Sequence, residues 1–223
     1  MKKKGKYIAI ILVIAAIIAL IAALSPRDRE YDEAVVKAAA IELLTEAAKL
    51  NEIYYGNGID YLDESKHNIS IYCEANPASL DKYGITTVDD IKQKTFAVFS
   101  SSQCDSMFKG AFSGSYSQGV SNMSRYYQKY DDKTGEPVCI MVHSEYEQLM
   151  VGENFYDFST LKVIGSEREF VYITIDVNVI YGEKTQKHTL TIRLLEESAG
   201  WRIASTSFAS YNELKDLYDE LQK

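Results

Sequence analysis

Proline is scarce in this chain, with three residues in 223, and so are histidine, cysteine and tryptophan, at three, three and one. Each scarcity excludes something. Three histidines (His67, His143, His188) with no second His or Cys at ligand spacing leave no zinc signature. Three cysteines far apart (Cys73, Cys104, Cys139) exclude a full disulfide framework, leaving one bridge or three thiols. There is no G-x-S-x-G elbow, no P-loop and no dinucleotide fingerprint. The formal net charge is −8, and the four leading lysines supply +4 of it, leaving −12 on the rest. That balance argues against nucleic acid or an anionic membrane surface as the ligand of the main domain. It suits a basic partner or the surroundings of a polyanionic wall.

What the chain does have is one long apolar run. Lys2, Lys3, Lys4 and Lys6 precede Tyr7 to Leu24, a stretch without charge, and Pro26-Arg27-Asp28-Arg29-Glu30 follows. A helix of about 18 residues rises about 27 Å, near the thickness of the hydrocarbon core. Lysines stay on the cytoplasmic side, so the rest is expected outside. The exit Ile21-Ala22-Ala23-Leu24-Ser25-Pro26 is a poor cleavage site, which favours a retained signal anchor over a removed signal peptide. The expected division is a cytoplasmic basic tail (1–6), a transmembrane anchor (7–24), a linker (25–30) and an extracytoplasmic domain (31–223).

Within that domain, residues 31–124 read as a mixed helical and loop lobe, and 125–223 as an antiparallel sheet closed by a helix. Asp32 to Tyr55 is expected helical, with a stripe of Ala34, Ala38, Ile41, Thr45 and Ala48, widened by Val35, Leu44 and Ile53. Gly56-Asn57-Gly58 ends it. Ser70 to Glu74 reads as a short strand and Asn76-Pro77 as a turn. Thr87 and Asp90 resemble a capping box, opening a helix through about Lys94. Phe96 to Ser100 extends that helix or begins a strand. Ser101 to Ser124 is rich in Ser and Gly and reads as a long loop.

Arg125–Tyr130 and Val138–His143 read as strands around the turn Asp131 to Gly135, and Leu161–Gly165 as a further strand. Val171, Ile173, Ile175, Val177 and Val179 alternate with Tyr172, Thr174, Asp176 and Asn178, giving one dry and one wet face. His188–Leu195 returns with Leu190, Ile192 and Leu194 on one face, Trp201–Ala204 follows, and Ser210 caps a final helix. The class is α+β, a helix packed on a curved antiparallel meander, possibly two-lobed.

Chemistry is thinly signalled. His188 reads as a solvated strand residue, and His143 as structural. His67, in an acidic loop, is the best histidine for a site. Cys104 with His143 as base is conceivable, but nothing nearby in sequence would activate the thiol. Asp89/Asp90 is explained by a helix cap and Asp131/Asp132 by a turn. No catalytic, metal-ligating or cofactor-binding residue stands out, and no cofactor is implied. Seventeen tyrosines suit solvent-facing sheets and binding surfaces.

Four segments together resemble the IseA-type DL-endopeptidase inhibitors of Gram-positive bacteria. They are the Ala-rich helix ending Ile53-Tyr54-Tyr55-Gly56, Tyr83 to Lys92, Arg125-Tyr126-Tyr127-Gln128-Lys129-Tyr130 before a hairpin, and Gly200-Trp201-Arg202-Ile203. The likeness covers most of residues 31–210 and lies in element order and scattered residues. The last segment also occurs in cystatin-like and nuclear-transport-factor-like α+β folds. The resemblance implies a non-catalytic protein, not an enzyme, that binds cell-wall hydrolases of the NlpC type and blocks them. The anchor departs from a diffusible inhibitor. Contact candidates are acidic or tyrosine-bearing loop residues: Asp63, Glu64, Tyr116, Asp131 and Asp132. Two alternatives stand beside this reading, a scaffold or assembly protein of an envelope complex and a small-ligand-binding cone-fold domain. Homo-oligomerisation is left open.

Overall fold

The structure is a computed structural model that describes residues 30–63, 71–113, 115–117, 120–122, 124–146, 153–181 and 184–208. The expected anchor (7–24) and the expected C-terminal helix lie outside these residues. Among the described residues, no helix is long and apolar enough to cross a membrane.

The fold is α+β with curved antiparallel sheets. Helix α1 (Glu33–Tyr55) starts where Asp32 accepts hydrogen bonds from the Ala34 and Val35 amides at 2.8 and 3.3 Å. The apolar face differs from the expected stripe. Val36, Ala40, Leu43, Leu44, Ala47, Leu50, Ile53 and Tyr54 are buried, whereas Val35 and Ile41 are 55% and 42% exposed. Alanine on several faces blurs the 3.6-residue signal, and the row with the larger side chains wins the core.

Strand β1 (Tyr72–Glu74) leads to α2 (Pro77–Tyr83), where the sequence had read only a turn. Asn76 is the N-cap, accepting from the Ala78 amide at 3.0 Å, Pro77 opens the helix, and Gly84 closes it at φ +60°. Pro inside the start and Gly past the end are the usual asymmetry of helix termini. Helix α3 (Val88–Val98) begins with the expected capping box of Thr87 and Asp90 but runs one turn beyond Lys94. Phe99 then makes a parallel bridge to Ile203.

The expected loop from Ser101 is also corrected. Helix α4 (Ser101–Phe108) continues into a turn of π-helix (Lys109–Ser113), and a small hairpin of β2 (Ser115–Ser117) and β3 (Val120–Asn122) follows. Cys104, Met107 and Ala111 are buried on one side of this segment. Their three- and four-residue spacing was hidden by the surrounding serines and glycines.

Two larger sheets complete the fold. One has the order β1-β5-β4, with β4 (Tyr126–Tyr130) and β5 (Pro137–His143) joined by the expected turn. The other is the meander β6 (Glu153–Glu167), β7 (Phe170–Tyr181), β8 (Lys184–Glu197) and β9 (Gly200–Ile203). Strand β6 is three times the expected length, with irregularities between Asp157 and Lys162 and between Val163 and Gly165. The dry face is as read: Val171, Ile173, Ile175, Val177, Ile192 and Leu194 are fully buried. α1 packs across this meander and against α3, and the buried residues of both sheets join one hydrophobic cluster.

Candidate functional site

The end of α1 is where the three-stranded sheet is tied on. The Tyr126 hydroxyl donates to the Ile53 carbonyl at 2.8 Å and accepts from the Ile59 amide at 3.1 Å. Burial raises its pKa to about 12, so it stays a neutral donor. Next to it, Arg125 is 3% exposed. Its Nη2 donates to the Gly56 carbonyl at 2.6 Å, while Nη1 is buried without a hydrogen-bond partner among the described residues. The guanidinium carbon lies 5.4 Å from the centre of the Tyr126 ring and 5.0 Å from that of Tyr146.

Beside this guanidinium lies a polar cavity of about 430 Å³. The loop after α1 supplies Asn57, Asp60 and Asp63 to its wall, and the ends of β4 and β5 supply Arg125, His143 and Tyr146. His143 Nδ1 accepts from the Glu145 amide at 3.2 Å, and its ring packs edge-on to Tyr72 with centroids 5.2 Å apart. Among the described residues no three His, Cys, Asp or Glu side chains are grouped to hold a metal.

The opposite end of the same sheet is the second notable surface. Beyond Gln128 and Ile140, the β4–β5 arm leaves the core, and Tyr130 and Val138 are 54% and 57% exposed. Val138 has no partner residue across the ladder, since Lys129 pairs with Cys139 and Tyr130 with Pro137. That is a bulge, which bends an arm and re-aims its side chains. At the tip, Asp131 accepts from the Lys133 and Thr134 amides at 2.9 and 2.8 Å. These bonds lower its pKa and spend its carboxylate on the turn.

The five sequence-derived contact candidates do not form one patch. Asp131 and Asp132 are on the turn of the arm, and Asp63 lines the cavity. Strand β5 separates these two places by roughly 20 Å at about 3.3 Å per residue. Tyr116 is on β2, opposite Ser121, and Glu64 and His67 lie outside the described residues. Cys104 is not in a polar loop but fully buried on α4, where burial pushes its thiol up to about 11. That environment opposes a nucleophilic role. His188 sits half-buried on β8 opposite Val177, on the edge of the Leu190/Ile192 face. Sequence reasoning passed over Arg125, Asp60 and Tyr146, and an Arg followed by an amphipathic strand carries no sign that it will be buried.

No known protein family matches the chain, and no curated protein does.

Proposed function

We propose that the chain is a non-catalytic binding protein, held by its N-terminal apolar segment on the outer side of the cell membrane. It engages a peptidoglycan DL-endopeptidase and inhibits or regulates it. The observation that carries this reading is the β4–β5 arm, which holds Tyr130 and Val138 out in solvent beside Asp131, Asp132 and Glu136. A monomer gains nothing in packing from a tyrosine and a valine held away from its core. An exposed tyrosine and valine on a hairpin arm suit the anchor of a protein interface. The −12 balance outside the leading lysines would attract a cationic wall hydrolase and speed encounter. The resemblance to endopeptidase inhibitors supplies the partner's class.

The test is hydrolysis of purified wall by an NlpC-type endopeptidase with the full chain added in excess. Dose-dependent inhibition, weakened by salt and reduced by at least about tenfold in Tyr130→Ser/Val138→Thr, is the expected result. Full hydrolase activity beside a folded, stoichiometric excess of the chain overturns the reading.

A further inference from the structure

We infer that the cavity beside Arg125 is a binding site for a small zwitterion, an amino acid or short peptide, with its carboxylate on the guanidinium and its ammonium against Asp60 and Asp63. This inference does not depend on the hydrolase, because the cavity and the arm occupy opposite ends of one sheet.

The argument starts from an imbalance of charge. Arg125 is almost wholly buried, yet it is in none of the ion pairs among the described residues, and one of its terminal nitrogens has no acceptor there. A buried charge is normally paired and fully hydrogen-bonded, because taking it out of water is strongly unfavourable unless partners replace the solvent. Two aromatic faces and one carbonyl offset part of that cost. They leave the planar fork of the guanidinium incompletely used, and a carboxylate is the group that this fork matches.

The rest of the wall selects among anions. Asp60 and Asp63 line the same cavity and are exposed. They would repel a phosphate dianion, and they offer acceptors to an ammonium group. Asn57 and Ser144 add neutral polar groups. A volume of about 430 Å³ lies within the range of small-ligand pockets. Nη1 is buried and the half-buried Tyr146 ring lies over the guanidinium, 5.0 Å from its carbon, so in the proposed complex this ring moves to let a carboxylate reach the fork.

Calorimetric titration of the full chain with alanyl-alanine tests this. Its N-acetylated form, which lacks the ammonium, and its amide, which lacks the carboxylate, serve as controls together with inorganic phosphate. The dipeptide is expected to bind, and each blocked form to bind at least about tenfold more weakly, the value of one charge-assisted contact. Asp60→Asn with Asp63→Asn should remove the advantage of the dipeptide over its acetylated form and leave the fold intact, since both side chains are exposed. Arg125→Lys should weaken both carboxylates. If that variant does not fold, the aspartate pair still decides. No binding of the dipeptide at about 10 mM overturns the inference. Phosphate binding as tight as the dipeptide, or indifference to the aspartate changes, overturns it as well.

Discussion

Gly58 lies where Arg125 passes: a Cβ built on Gly58 would stand 2.3 Å from Arg125 Nη2 and 2.4 Å from the Tyr126 hydroxyl. The backbone there is also left-handed, at φ +79°. The buried arginine therefore depends on a residue without a side chain, two positions beyond the carbonyl that it bonds.

The substitution Gly58→Ala is expected to destabilise the protein by about 2–5 kcal/mol, combining left-handed strain with overpacking. The clash cannot be relieved at a flexible chain end, because the Tyr126 ring is fixed by bonds to Ile53 and Ile59. Urea denaturation would measure it. Gly135→Ala is the control: it shares a positive φ of +70° but meets nothing within 4 Å, so only the strain term of about 1–2 kcal/mol is expected.

The capping box of α3 makes stability depend on pH. The Asp90 carboxylate accepts from the Thr86 hydroxyl and from the Thr86 and Thr87 amides, all within 2.7–2.8 Å. These bonds lower its pKa from 3.8 to about 2. A depressed folded-state pKa gives a contribution that is complete above the unfolded value and lost as pH falls through about 2. Asp90 is half-buried at the start of the helix and its bonds are those of a capping box, so the expected scale is that of a cap. Asp90→Ala should cost about 1 kcal/mol at neutral pH. The gap between wild type and variant should close between about pH 4 and pH 2. Denaturation curves across that range would show it.

The cysteines should react in order of burial. Cys73 and Cys104 are fully buried, whereas Cys139 is half-buried on the arm beside Met141. The Cys104 thiol also donates to the Phe99 carbonyl at 3.5 Å. A thiol reagent at about pH 8 should label Cys139 first, and all three only after denaturation. Rapid labelling of Cys104 in the folded protein would contradict its placement in the core. Thiol mapping by mass spectrometry distinguishes the two outcomes.

Loss of the Asn51 amide should be costly for a different reason. Asn51 Nδ2 donates to Ser207 Oγ at 2.9 Å, and Tyr156 donates to the Ser207 carbonyl, so α1, β6 and the segment after β9 share one buried polar knot. Asn51→Ala leaves Ser207, itself fully buried, short of a partner. A cost of about 1–3 kcal/mol is expected in thermal or urea unfolding.

Local rules explain which parts were readable beforehand. The alternation of β7 and β8 was legible because a strand facing one core repeats every two residues, and Val171 to Val177 obey that repeat without interruption. The Thr87/Asp90 cap was legible because its bonds span three residues. Asn76-Pro77 with Gly84 carried an equally local helix signal, which the brevity of α2 concealed. The face of α1 was not legible, since Ala34 and Ala38 look as apolar as Ala40 and Ala47, and only the position of the sheets decides which are buried.

The sequence alone determined the α+β class, the alternating strands, the arm with its acidic turn, and the apolar N-terminal segment, because each follows from residues near one another in the chain. Only the tertiary structure decided that Arg125 is buried, that Asp60 and Asp63 share a cavity with it, and that Asp131 and Asp132 stand at the far end of the sheet. Those relationships join the loop after α1 to strands more than sixty residues later. The physical reason is that burial of a charge is set by what folds over it, and no local pattern encodes that.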